Sequence, residues 1–273
     1  MNDKTDSGDA NGALVIAIHG RAGSGKDTFA DMLQQFFLAA YLPVFKMALA
    51  DPLKRVCKEV FDFTDEQLWG PSHKRNEPDV RYLRKGPDGE EYLTPRVALQ
   101  LCGTEFGRAC CPDIWCMNHQ REVKRASDVN RNVTVLVPDV RFPNEVAHFR
   151  RTGALLVKIV RPLTDDQATS VGILEHESER GLADDLFDYV FMNDRSLDEL
   201  QQHAFRVFDK DERVARHRAR EARDSFIDGL SRTSLAKPRK PRRLRRGGAA
   251  VWTKRLRGTS LACSVGRLTL RGC

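Results

Sequence analysis

Gly20-Arg21-Ala22-Gly23-Ser24-Gly25-Lys26-Asp27-Thr28 joins a strand-like run to a helix-like run through a glycine-rich loop tipped by a lysine. The stretch before it, Ala13-Leu14-Val15-Ile16-Ala17-Ile18-His19, is short, apolar and β-branched, as a strand buried on both faces should be. After it, Phe29, Met32, Leu33, Phe36 and Phe37 recur at helical spacing. Gly20, Gly23 and Gly25 let the backbone bend tightly and turn successive N–H groups toward an anion, and Lys26 brings a positive charge to the β and γ phosphates. The helix N-terminus adds its partial positive charge. The stretch therefore predicts a phosphate cradle. Against the pattern G-x-x-x-x-G-K-[ST] the hydroxyl comes one place late, at Thr28, because Asp27 follows the lysine.

The 273 residues are enough for one large or two small domains with a real core. No apolar run approaches the roughly 20 residues of a membrane span, and the polar, acidic first twelve residues do not read as a signal peptide. Seven cysteines, at 57, 102, 110, 111, 116, 263 and 273, are odd in number and irregularly spaced, which argues against a disulfide framework and for a reducing cytoplasm. The Cys110-Cys111-x4-Cys116 cluster lacks a second Cys or His pair at zinc-site spacing. The net charge of +7 is unevenly spread: residues 231–273 hold thirteen Lys or Arg and no carboxylate, leaving 32 basic against 38 acidic residues in 1–230. The body is mildly acidic, and the tail, with its Pro and Gly and no periodicity, is expected to be disordered. A weak hold on nucleic acid through that tail stays open beside a plain solvated extension.

Strand-like and helical runs alternate, which predicts an α/β fold with a parallel sheet. Val44–Leu49 reads as a second strand, with Asp51-Pro52 capping a helix over 52–61 that carries Leu53, Val56, Val60 and Phe61 on one face. Residues 62–94 read as a mobile insertion, and Pro95 opens a helix whose Val97, Leu99 and Leu101 point to burial. Val133–Val137, Ala154–Val160 and Tyr189–Met192 complete the strands, and a further helix starts at Leu197.

Two constellations carry chemistry. Pro138-Asp139-Val140-Arg141 places a carboxylate and a guanidinium at the C-terminal end of a buried strand, the edge where open α/β sheets bind ligands. Asp139 suits the water shell of Mg²⁺ and Arg141 a transferring phosphoryl group; capping or pairing within a loop is the plainer alternative. Glu145, on the next helix, is placed to accept from substrate hydroxyls or to pair with Arg141, or else is a surface charge. Arg96, Gln100 and Thr104 stand four apart and so share one face of a helix. Arg suits a monophosphate and Gln a base edge, unless the face is merely solvated.

These motifs occur in a recognisable order: Gly-x2-Gly-Ser-Gly-Lys-Asp-Thr; Ala50-Asp51-Pro52-Leu53-Lys54; Leu68-Trp69-Gly70-Pro71; Arg96-x3-Gln100-x2-Gly103-Thr104-Glu105 with Trp115 beyond; Pro138-Asp139-x-Arg141-Phe142-Pro143-Asn144-Glu145; and Asn193-Asp-x-Ser196-Leu-x-Glu199. Over about residues 13–208 the chain resembles the bacteriophage deoxynucleoside monophosphate kinases, and the G-K-x-T spacing is that of nucleotide kinases. The resemblance implies a three-layer P-loop kinase fold with a parallel central sheet, and phosphoryl transfer from ATP, with Mg²⁺, to a deoxynucleoside monophosphate. Gly20, Gly23, Ser24, Gly25, Lys26, Asp27, Thr28 and Asn193 would then meet ATP; Arg96, Gln100, Thr104, Arg108, Trp115 and Glu145 the monophosphate. Lys26, Asp139 and Arg141 would carry catalysis, and Thr28 and Asp139 would hold Mg²⁺, partly through water. The organisation expected is a disordered N-terminus 1–12, a P-loop kinase domain 13–208 with its insertion at about 62–94, a charged helical extension 209–230 and the basic tail 231–273. Lys74, Arg75, Arg81, Arg84 and Lys85 in the insertion, or Arg161–Arg180 with His176 and Glu179, are candidates for a closing segment. No membrane partner is expected, and a homodimer stays open. The alternatives are another small-molecule P-loop kinase, acting on dephospho-coenzyme A or on a nucleoside with Asp51 as base, and a nucleic-acid-associated P-loop ATPase. The last would want a carboxylate where Val140 follows Asp139.

Overall fold

The computed structural model describes residues 12–87, 89–162 and 181–234, the last seven in backbone only. The expected N-terminal and C-terminal disorder and the 161–180 candidate with His176 and Glu179 fall largely or wholly outside the described residues. Of the two units into which the chain divides, 1–230 and 231–273, the first carries the architecture below.

Five strands form one parallel sheet: β1 (Leu14–His19), β2 (Val44–Lys46), β5 (Thr134–Val140), β6 (Leu155–Val160) and β7 (Tyr189–Met192), in the order β2-β5-β1-β6-β7. β1 is central because it is apolar on both faces. Leu14, Ile16 and Ile18 pack with Phe29, Leu33 and Phe37 of helix α1 (Lys26–Ala39). On the other face Ala17 joins Val133, Val135 and Val137, with Val123 of α5 (Ile114–Val129) and Phe149 of α6 (Pro143–Arg151). Each such aromatic or branched side chain taken out of water contributes about 1.5–3 kcal/mol, so the two cores hold the helices as outer layers. The strand order reverses at β1, and the glycine-rich loop leaves from the carboxyl end of that strand, at the switch point of the sheet.

Helix α2 (Asp51–Phe61) buries Leu53 and Cys57, whereas Val56 and Val60 are exposed; its inward face is the 53/57 stripe and not the one expected. Residues 62–94 are folded. A capping box of Thr64 and Gln67 starts α3 (Asp65–Trp69), and β3 (Leu83–Gly86) pairs antiparallel with β4 (Gly89–Tyr92). Leu68, Phe63 and Leu93 close a third core with Leu53, Cys57 and Ala98. Tyr82 donates to the Phe61 carbonyl at 2.6 Å, and buried Asp79, held down to a pKa of about 2 by Arg81, ties the hairpin base. The insertion is thus built on α2 and on α4 (Pro95–Gln100), with its own apolar anchors. Leu101, expected inside, is exposed, because the helix passes at that point into a π-helical stretch, Leu101–Arg108. After α7 (Leu197–Lys210), α8 (Glu212–Ser234) folds back on the sheet: Val214 is fully buried, and His217 Nε2 meets Thr134 Oγ1 at 3.2 Å. No helix among the described residues is long and apolar enough to cross a membrane.

Candidate active site

The loop after β1 has the conformation its glycines allow. Gly23 and Gly25 have φ of +75° and +90°, values that side chains with a Cβ rarely adopt. Gly25 is the N-cap of α1 and offers no side chain, so the first-turn amides of Lys26, Asp27 and Thr28 have no side-chain cap and are free to serve an anion. Asn193, buried, donates from Nδ2 to the Ser24 carbonyl at 2.8 Å, and a Cβ on Gly25 would run into that amide. Asn193 therefore braces the loop from behind. Ser24 Oγ is buried without a protein partner inside the loop. Lys26 is buried, with Nζ 3.3 Å from the exposed carboxylate of Asp27.

Lys26 and Asp27 open into a cleft of about 470 Å³. Of the residues expected at the site, Lys26, Asp27, Arg96, Gln100, Thr104, Arg108, Trp115, Asp139, Arg141 and Glu145 all line it. Gly20, Gly23, Ser24, Gly25 and Asn193 form or support the loop beside it, and Thr28 is exposed outside its lining. The π-helical stretch explains how one wall gathers so much: α4 and its continuation present Arg96, Leu99, Gln100, Gly103, Thr104 and Arg108 on the same side. Such wide turns recur at functional sites. Trp115 Nε1 donates to the Gly103 carbonyl at 3.0 Å and fixes the indole against this wall.

Asp139 lies at the foot of the cleft. Its two oxygens accept from the Leu49 and Ala50 amides at 2.8 and 2.9 Å and so hold the turn between β2 and α2. Burial raises its pKa, against those two hydrogen bonds and nearby Arg141. Glu145 is also pushed up by burial. Its Oε2 accepts from the Arg141 and Phe142 amides at 2.6 and 3.0 Å, and its Oε1 from Arg108 Nη2 at 2.5 Å. With both oxygens engaged it orients Arg108 and the 141–142 turn. Arg108 also lies 3.8 Å from the centre of the Phe142 ring. Asp51, the candidate base of the nucleoside-kinase alternative, accepts from Ala48 N at 3.0 Å and Trp69 Nε1 at 3.0 Å.

Four lining residues were missed as site candidates or read only as part of a lid: Lys46, Lys54, Trp69 and Arg75. Lys54 lies 5.6 Å from the Trp69 ring centre and 3.9 Å from Asp51, with burial drawing its pKa below the usual lysine value. Arg75 donates to the Leu68 and Gly70 carbonyls, and burial, with Arg96 nearby, lowers its pKa too. The sequence signal was present for Trp69 and Lys54, which lie inside the ordered motifs. Arg81 and Arg84 pair with Asp79 and Glu91 away from the cleft. Among the described residues the cleft has seven Lys or Arg against four carboxylates, a balance suited to a polyanion.

No group of three or more His, Cys, Asp or Glu able to hold a metal occurs among the described residues. Mg²⁺ does not require one: it keeps several waters and binds through one or two carboxylates plus substrate phosphates. Asp27 and Asp139, hard oxygen donors on the cleft, fit that demand, whereas the exposed Thr28 does not line it. The five described cysteines are free, and burial raises the Cys57 and Cys116 thiols to about 12, so neither is a nucleophile.

No family model matches the chain. A solved APS kinase of Mycobacterium tuberculosis, in complex with AMPPNP and APS, is similar at a TM-score of 0.39 and 13% identity over 72% of this chain and 98% of that one, too slight a likeness to carry an argument. The chain is 26% identical to the deoxynucleoside-5'-monophosphate kinase of Escherichia phage T5, over 54% of this chain and 78% of that protein. It is 29% identical over 194 residues, 68% of this chain and 91% of the relative, to a protein of Acanthamoeba polyphaga mimivirus provisionally named a deoxynucleotide monophosphate kinase. Both relatives carry the name of the family that the ordered motifs resemble.

Proposed function

We propose that the protein transfers the terminal phosphoryl group of ATP to a deoxynucleoside monophosphate, giving the diphosphate and ADP. The observation that supports this is one cleft lined both by Lys26 and Asp27 of the glycine-rich loop and by Arg96, Gln100 and Thr104. The two named relatives support the same reading. The loop amides and Lys26 hold the β and γ phosphates of ATP, Arg96 holds the acceptor phosphate, and Gln100 reads a base edge between Trp69 and Trp115. A phosphate oxygen is already an adequate nucleophile, so catalysis is positioning and charge neutralisation. Arg108, oriented by Glu145, and Arg141, whose backbone amide Glu145 holds, would neutralise the charge that develops during transfer. Mg²⁺ carried in on ATP would be held beside Asp27 and Asp139 and would neutralise phosphate charge. The nucleoside-kinase alternative gains nothing from Asp51, whose oxygens are engaged by Ala48 and Trp69.

The test is ADP formation from ATP and Mg²⁺ with each deoxynucleoside and ribonucleoside monophosphate in turn. Release should depend on the monophosphate supplied; a rate indifferent to all of them would refute the proposal.

A further inference from the structure

A second cavity, larger than the cleft, lies apart from it. About 730 Å³ opens at the opposite edge of the sheet, where β1 and β6 begin, between α5, the end of α6 and α8. Five cationic side chains line it: Arg121 and Lys124 from α5, and Arg213, Arg216 and Arg220 from α8; no carboxylate is among the described lining residues. Some of this charge is balanced nearby, Arg213 by Asp188 and Asp211 and Lys124 by Asp128 at 3.4 Å. Among the described residues Arg216 bonds only the Glu212 carbonyl, and Arg121 makes no ion pair. Deeper in, the lining changes character. His119, 4% exposed, lies edge-on to Phe149 with ring centres 5.4 Å apart, and its Nε2 has no hydrogen-bond partner. Burial and His148 hold its pKa down to about 4, so the ring is neutral, and its other contact is with the Met47 backbone. A buried, unsatisfied nitrogen costs free energy unless a ligand or water completes it.

We infer that this cavity is a second nucleotide site, with phosphates on the Arg121, Lys124 and Arg216 side chains and the sugar or base against His119 and Phe149. The cations alone would suit any polyphosphate, but the neutral ring beside an apolar wall calls for a head group able to hydrogen-bond and stack. The cavity lies within the 300–1,000 Å³ typical of small-molecule pockets. α5 and α6 each reach both sites, through Trp115 and His119 on one and Glu145 and Phe149 on the other.

The experiment is calorimetric titration of the full chain with dTTP and inorganic tripolyphosphate as separate probes, wild type against a triple variant that strips cations from the cavity and leaves the cleft intact, so that the second binding event is read by its loss. dTTP should bind saturably and more tightly than tripolyphosphate. The triple variant Arg121→Ser, Lys124→Ser, Arg216→Ser should weaken it by roughly 10- to 100-fold. Its kcat and KM for phosphoryl transfer should be unchanged. Absence of saturable dTTP binding, or binding unaltered in the triple variant, would overturn the site. Equal affinity for the two probes would overturn the nucleoside part of the assignment.

Discussion

Gly25 shows how one residue sets both shape and chemistry: φ at +90° exposes the first amides of α1, and the missing Cβ leaves room for the Asn193 amide that braces the loop. Gly25→Ala should therefore cost about 1–3 kcal/mol in urea denaturation and lower kcat, since the strain and the displaced brace act together. Lys26→Met removes a charge that the substrate needs and the fold does not. A fall in kcat of about 10²–10³ is expected, with the circular dichroism spectrum unchanged. His119 gives a pH signature. Its folded pKa of about 4 lies below the ordinary 6.5, so its contribution to stability is present above pH 6.5 and lost as pH falls toward 4. Between pH 7 and pH 5 wild type should lose roughly 2 kcal/mol more than His119→Asn, measured by denaturant midpoints. The comparison with the variant subtracts the common background: Asp139 and Glu145, raised by burial, tilt the curve the opposite way, and His148, lowered by burial, tilts it the same way. At this scale the loop glycines and Lys26 were readable, since backbone demands are local. That Asn193 is tied to Ser24 and Glu145 to Arg108 was not, because it depends on partners 169 residues away in one case and 37 in the other.

Among the elements, the π-helical stretch matters most. Simple four-residue spacing brought Arg96, Gln100 and Thr104 together, and the wider turn extends the same wall to Arg108. Gly107 lies against Trp115, where a Cβ would strike the indole. Gly107→Ala should displace Trp115 and raise KM for the monophosphate severalfold while leaving KM for ATP nearly unchanged; steady-state kinetics with each substrate varied would check this. The buried strands were readable because they are continuous apolar runs. α5 was not, for its inward stripe of Cys116, His119, Val123 and Ser127 mixes polar with apolar types and weakens the periodicity. The 62–94 segment looked structureless for a similar reason: Phe63, Leu68 and Leu93 are too far apart in sequence to form a pattern, yet they meet on Leu53 and Cys57.

At the scale of the whole molecule, the 1–230 unit places the P-loop at the switch point of a five-stranded sheet, beside a cleft lined by seven Lys or Arg. α8 belongs to this arrangement through Val214, His217 and the Asn132–Asp224 hydrogen bond of 2.8 Å. A chain ending at Asp211 should lose several °C in melting temperature, whereas one ending at Leu230 should keep kcat/KM. The charge count could separate body from tail, but it could not foresee that a charged helix packs on the sheet through so few apolar residues. The central claim is the direction of phosphoryl transfer. It is tested most directly by incubating the protein with γ-³²P-labelled ATP, Mg²⁺ and a deoxynucleoside monophosphate and separating the products. The account predicts label in the β-phosphate of the deoxynucleoside diphosphate, in amounts matching ADP and lost in Lys26→Met. Label appearing as inorganic phosphate, or ADP formed without the deoxynucleotide, would contradict it.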